Sequence, residues 1–398
     1  MGLEAGAPES APRRRARFLL RLVVVLVLST LALELALRFL LFGDGWAARA
    51  GARLRQCHLY ARPGNEDDSW KLRALFSADH GARPHEFPDP ELGWIKATIE
   101  PGTYRHAEEE LLDGKRPLLV YGDSFAQCTT DRHDAFEALL ERSELAERYA
   151  LLNFGVGGYG VDQMYLLLRA TIERYVERDP LVVVCILVDE DLDRTILSLR
   201  NFPKPRFTLA GDELVLHRPE QTSAAEFVAA HPLQIHSYLW RFLTVGSGLL
   251  PDRVAWLFLG EEDARAEKRA LNARLLRAMR DLLVERGLDH FFVLFHGKSA
   301  LYEVGPYSWS EPFLYDALRE LELPFVSSKR FLLEDAAATG RELDDYFQPV
   351  GSHYDALGNA VVFRAFLAGE RGEFEPAEGY LPGAAQHPRV RQREQGSR

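Results

Sequence analysis

The stretch VYGDSFAQC, Val120–Cys128, decides how the rest of this chain is read. A short apolar run ends in a glycine, and an aspartate and a serine follow where the chain has to turn. Asp and Ser are both strong helix caps, so Asp123 or Ser124 could do no more than open the next helix. In an open parallel sheet, however, ligands bind beyond the carboxyl ends of the strands, and a serine placed there stands where a nucleophile would.

Working outward, short apolar runs alternate with amphipathic helical stretches from residue 117 onward. PLLVYG precedes a helix over 135–149, ALLNFG a helix over 162–178, and LVVVCILV leads on to a charged helix over 261–286. HFFVLFHG, a helix over 311–321, LPFVSS and a last helix over 356–367 complete the series. Such alternation predicts an α/β domain, 117–370, whose mostly parallel sheet is covered on both faces. KPRFTLAGDELVLHRP, 204–219, breaks the rhythm with two β-like runs around Gly-Asp and reads as an inserted hairpin, shaping a substrate mouth or covering an edge. Residues 43–116, with helical character over 47–59 and turns around Pro88, Pro90, Gly93 and Pro101, read as a lead-in packed on that domain. The tail 371–398, rich in Pro, Gly, Arg and Gln, reads as disordered.

The 398 residues carry a formal charge of -11, which argues against a nucleic-acid footprint and excludes nucleic acid as the expected partner. Cys57, Cys128 and Cys185 lie at neither disulfide-framework nor zinc-site spacing, although a Cys57–Cys128 bridge is conceivable. The basic residues Arg13, Arg14, Arg15 and Arg17 precede FLLRLVVVLVLSTLALELALRFLLF, 18–42, a stretch of the length needed to span a bilayer. The arginines place residues 1–17 in the cytoplasm and the main domain on the far side, periplasmic or extracellular. Glu34 and Arg38, spaced i, i+4 inside the stretch, could neutralise each other. Ala48-Arg49-Ala50 has the shape of a signal cleavage site, but the apolar stretch exceeds a signal h-region, which favours an uncleaved anchor.

Two further stretches bear on Ser124. NFGVGGYG, 153–160, supplies glycines whose N–H groups can approach a developing oxyanion, and SHYDALGN, 352–359, presents His353 in a loop before the last helix, where a general base could sit. G-D-S-F, N-x-G-x-x-G-Y-G and H-Y-x-x-L-G-N, in this order across residues 117–367, resemble the SGNH/GDSL hydrolases, whereas the G-x-S-x-G elbow of α/β-hydrolases is absent. The resemblance implies a three-layer α/β/α flavodoxin-like fold, here behind an N-terminal transmembrane helix, with esterase, lipase or carbohydrate deacetylase activity and no cofactor. It also implies Ser124 as nucleophile, the N–H groups of Ser124 and Gly158 as the oxyanion hole, and His353 as base. Asp123 and Asn153 stand in the matching blocks without an assigned role.

Two positions depart from the family pattern. Glu190, in VDEDL, stands where an asparagine amide would donate to the oxyanion, and an ionised carboxylate cannot donate. Val350 occupies the place of the aspartate three residues before the histidine, leaving Asp344, Asp345, Asp355, Glu190 or a backbone carbonyl to orient His353. The expected function is therefore a membrane-anchored serine esterase or deacylase acting outside the cytoplasm on an acylated small molecule, lipid or glycan. The alternatives are an O-acyltransferase of an envelope polysaccharide and a non-catalytic glycan- or protein-binding member of the fold. His296, at a strand end, reads as structural, as do Tyr159 and Tyr354, and the acidic cluster Asp189, Glu190, Asp191 and Asp193 reads as a solvated loop rather than a metal site.

Overall fold

The structure, a computed structural model, describes residues 11–61, 66–76, 86–246, 261–303 and 307–376. The chain divides into two compact units, residues 1–78 with 231–259, and residues 79–230 with 260–398.

The larger unit holds all nine strands among the described residues: β1 (Glu86–Asp89), β2 (Gly93–Lys96), β3 (Arg116–Gly122), β4 (Tyr149–Gly155), β5 (Leu181–Leu187), β6 (Arg206–Ala210), β7 (Glu213–His217), β8 (Asp289–Phe295) and β9 (Phe325–Ser327). Five of them form the central sheet in the order β4-β3-β5-β8-β9, every pair parallel. The chain starts at β3, steps to one side for β4 and crosses back for β5. The order therefore reverses between β3 and β5, which opens a crevice beyond their carboxyl ends.

The period of two along each strand sends side chains to opposite faces. Leu119, Tyr121, Val182, Val184, Phe292 and Leu294 pack with the helices Val161–Thr171, Glu261–Glu285 and Ser310–Glu320. On the other face Val120, Val183, Cys185, Phe291, Val293 and Phe295 pack with Phe136–Glu141, Ser328–Thr339 and Ala356–Glu370. The result is the three-layer α/β/α arrangement, and β5 is buried along its whole length. Each fully buried Val or Leu there contributes about 1.5–3 kcal/mol, which is why the strands read as unbroken apolar runs.

The helices depart from the sequence expectation at their ends. Only Phe136–Glu141 of 135–149 is helical, because the Ser143 hydroxyl donates to the Leu140 carbonyl (2.8 Å) and accepts from the Leu145 N–H (3.1 Å), turning the chain. The helix expected over 162–178 ends at Thr171 and continues as separate 3-10 turns. Ser328–Thr339 was not anticipated, since it follows the three-residue β9 without a break. β6 and β7 pair antiparallel around Gly211-Asp212, as the hairpin expectation has it. Lys204, fully buried, pairs with Asp162 and pins the start of the hairpin to the helix Val161–Thr171.

In the smaller unit the helix Ala11–Phe42 contains a segment, Arg17–Phe42, long and apolar enough to cross a membrane. In place of one helix over 47–59 there is a helical turn Trp46–Ala50 ending at Gly51, then a 3-10 turn Cys57–Leu59. Leu41, Tyr60, Ala61, Leu72, Ile235 and Tyr238 form this unit's core. Residues 231–259 thus group with the N-terminal unit, whereas the sequence expectation leaves them inside 117–370. All three cysteines are free thiols. Residues 1–10 and 377–398, including most of the expected disordered tail, lie outside the described residues.

Candidate active site

β3 ends at Gly122, and Ser124 opens the short helix Ser124–Gln127 at the mouth of the crevice. Asp123 is the cap: its Oδ1 accepts from the Phe125 N–H at 2.8 Å. The cap is thus Asp123, which leaves the Ser124 hydroxyl out of the capping bond. The short helix folds back tightly over the sheet, so that a Cβ on Gly155 would come within 2.6 Å of the Gln127 nitrogen, and only glycine fits there.

His353 arrives from the other end of the chain. Gly351, at φ +90°, turns the loop, and the Gln348 N–H donates to the His353 carbonyl at 2.9 Å. Its Nε2 lies 2.8 Å from Ser124 Oγ across 229 residues of sequence, hydrogen-bond distance for a base and its nucleophile. The Phe125 ring packs on the imidazole with centroids 5.0 Å apart.

Gly158 sits in the loop after β4 at φ +84°, where a Cβ would fall 2.5 Å from the Arg200 guanidinium. Its peptide planes are held from both sides. Trp94 Nε1 donates to the Gly157 carbonyl at 3.0 Å, and Arg200 Nη1 donates to the Gly158 carbonyl at 2.5 Å. In a trans peptide the N–H points opposite to the carbonyl, so the bond from Trp94 fixes the direction of the Gly158 N–H. Asn153 lies apart from these groups in role: its amide donates to the Ala126 carbonyl and accepts from the Gly155 N–H, both at 2.9 Å, and it is fully buried. It braces the serine helix against β4.

Glu190 and Val350 stand as the sequence has them, and the structure shows what surrounds them. Glu190 forms a close ion pair with Arg194, a residue not singled out in the sequence. Arg194, 4% exposed, also reaches Asp191 (2.6 Å), Asp123 (3.0 Å) and the Tyr159 carbonyl (2.9 Å). The Arg194 charge holds the Glu190 carboxyl below its ordinary pKa, with smaller contributions from Arg200 and His353, so at neutral pH it is an acceptor. Burial and the neighbouring Asp123 push Asp191 well above its ordinary value. The spacing of Glu190 and Asp191 to Arg194, i+4 and i+3, is the signal that could have found the network. Val350 is 88% exposed and packs on nothing that would orient a ring.

The other orienting candidates have partners of their own. Asp344 accepts from Tyr302 and pairs with Lys298, Asp345 accepts from the Glu342 N–H, and Asp355 caps the last helix through the Gly358 N–H. His353 is among the charges that hold the Glu190 carboxyl down. His296 is fully buried and bonded to Glu311 at 3.0 Å, while Tyr159 and Tyr354 are buried and donate to the carbonyls of Trp94 and His296. Among the described residues, no group of three or more His, Cys, Asp or Glu side chains is arranged to hold a metal ion.

The five-stranded parallel sheet thus has the flavodoxin-like order, with a serine after its first strand hydrogen-bonded to a histidine before its last helix at the topological switch point. Solved structures similar to the chain include an acetylxylan esterase from Geobacillus stearothermophilus, 15% identical, covering 65% of this chain and 95% of that one at a TM-score of 0.32. Another is the lipase/acylhydrolase from Enterococcus faecalis, 12% identical, covering 66% and 100% at a TM-score of 0.35. No protein-family model matches the chain, and no curated protein matches it by sequence.

Proposed function

We propose that this protein is a membrane-anchored serine acyl-ester hydrolase, held by residues 18–42 with its main domain outside the cytoplasm. The 2.8 Å approach of His353 Nε2 to Ser124 Oγ carries the reading. His353 takes the Ser124 proton as Oγ attacks the ester carbonyl carbon. The oxyanion faces the N–H groups of Ser124 and Gly158, the second aimed by Trp94. The leaving alcohol then takes the proton from His353, and water, deprotonated by the same ring, releases the acid and regenerates Ser124. Glu190, which cannot donate to the oxyanion while paired with Arg194, supplies negative charge close to the imidazolium that forms.

The acyl donor falls in the class of acylated glycans, lipids or small esters. Treating the full chain in detergent with a fluorophosphonate, beside Ser124→Ala and His353→Ala, tests the reading. Labelling at Ser124 that His353→Ala abolishes supports it. A folded wild-type protein that takes no label sinks it and leaves a binding role, for which the ionised Glu190 in an amide donor's place is the supporting observation.

A further inference from the structure

A carboxylate inside an apolar span is costly unless the protein itself satisfies it. Glu34 lies eight residues before Phe42, roughly 12 Å along the helix. A span of about 20 residues begun at Phe18 ends near Leu37, so Glu34 falls within the outer margin of the hydrocarbon. Its carboxylate is nonetheless fully engaged, by a segment from far along the chain. Oε1 accepts from Arg38 Nε (2.7 Å) and the Tyr238 N–H (3.0 Å). Oε2 accepts from the Leu239 N–H and the Ser237 hydroxyl, both at 2.9 Å. Arg38 then donates to the His236 carbonyl at 2.7 Å and covers the Tyr238 ring.

These bonds hold residues 236–239 level with the outer end of the span. The side chains around them are apolar and exposed: Trp240, Phe39, Phe42 and Trp46, the last 63% exposed. Tryptophan belongs at the headgroup level, with its ring in the acyl boundary and its N–H toward water. An aqueous stalk has no use for such a ring of exposed aromatics at the very depth where the helix leaves the bilayer.

Resting on the anchored reading, we infer that the segment 236–246 and the outer end of the helix Ala11–Phe42 form one collar seated in the outer-leaflet interface. The Glu34–Arg38 pair locks the returning segment to the helix, and Trp46 and Trp240 face phospholipid. The chain thus meets the membrane at two places far apart in sequence, and its occupant at the second is lipid.

Spin labels on the full-length protein in phosphatidylcholine/phosphatidylglycerol vesicles test this, with Cys57 and Cys128 replaced by Ser. Labels at Leu28→Cys, Trp240→Cys and Val215→Cys are compared for collision with oxygen, which partitions into lipid, and with a water-soluble nickel chelate. The expected oxygen-to-nickel ratio at position 240 is severalfold above that at 215 and approaches that at 28. A water-like ratio at 240 with a lipid-like one at 28 overturns the collar and leaves the anchor standing. Water-like ratios at both sink the anchor as well. A label at 240 shielded from both probes means that protein covers the site, which also overturns the inference. Separately, Glu34→Ala in the same vesicles should speed amide exchange at Tyr238 and Leu239 at least tenfold, and unchanged exchange would refute the lock.

Discussion

The indole N–H of Trp94 bonds the Gly157 carbonyl at 3.0 Å, and through that one peptide it sets where the Gly158 N–H points. Trp94→Phe keeps an aromatic ring in a fully buried position but frees the peptide. Loss of an oxyanion donor costs about a hundredfold to a thousandfold; a misaimed one should cost about tenfold. The expected result is kcat for a short-chain aryl ester falling about tenfold with KM little changed, and a fall in KM-dependent binding alone would assign Trp94 to packing.

Arg194 serves Asp123, Asp191 and Glu190 together from a buried position. Arg194→Met leaves Asp123 and Asp191 in the interior without their cation, which should lower stability by about 3–5 kcal/mol, read from urea denaturation. Arg194→Lys should recover little, since one ammonium cannot reproduce the planar fork.

Glu190→Gln keeps a hydrogen-bonding partner for Arg194 and removes the negative charge near His353. Less negative charge disfavours imidazolium, so the acid limb of the kcat/KM profile should move to lower pH, by about half a unit. An unmoved limb would show that Glu190 has no part in supporting the base.

Burial lowers the pKa of Lys96 from its ordinary 10.5 to about 8, against the opposing pull of Glu137, Cys128 and Glu108. A base whose folded pKa is depressed leaves stability unchanged above its unfolded value, penalises the fold increasingly as pH falls from there, and does so in full below the folded value. Lys96→Met should therefore stabilise the protein by roughly 2–3 kcal/mol near pH 7. That gain should shrink by about half by pH 9.5, and thermal denaturation at the two pH values checks both the sign and the window.

The strands were legible because each is buried on both sides, and LVVVCIL in β5 can hardly be read otherwise. Ser124 and His353 were legible as residues in characteristic company, but their contact was not, since no local pattern links positions 229 apart. Trp94 gave no sign at all. Its role depends on β2 passing beside the loop after β4, a tertiary fact with no trace in ELGWIK. Arg194 could have been found from its spacing to Glu190 and Asp191. The smaller unit was missed for a related reason: two of the three bonds that draw residues 237–239 to Glu34 come from backbone N–H groups, which carry no sequence signal.

The long reach between Ser124 and His353 also orders events in time. A ribosome adding about 5–20 residues per second makes the histidine some 10–45 s after the serine, a delay set by the 229 residues between them. Throughout that interval the serine is an ordinary alcohol. The helix Ala356–Glu370, which follows the histidine loop, must also be made before that loop can be held. A chain that halts early, or loses its last helix to a protease, carries an intact G-D-S-F without the Ser124–His353 contact. On the proposed reading, such a build keeps the centre silent until synthesis is all but finished.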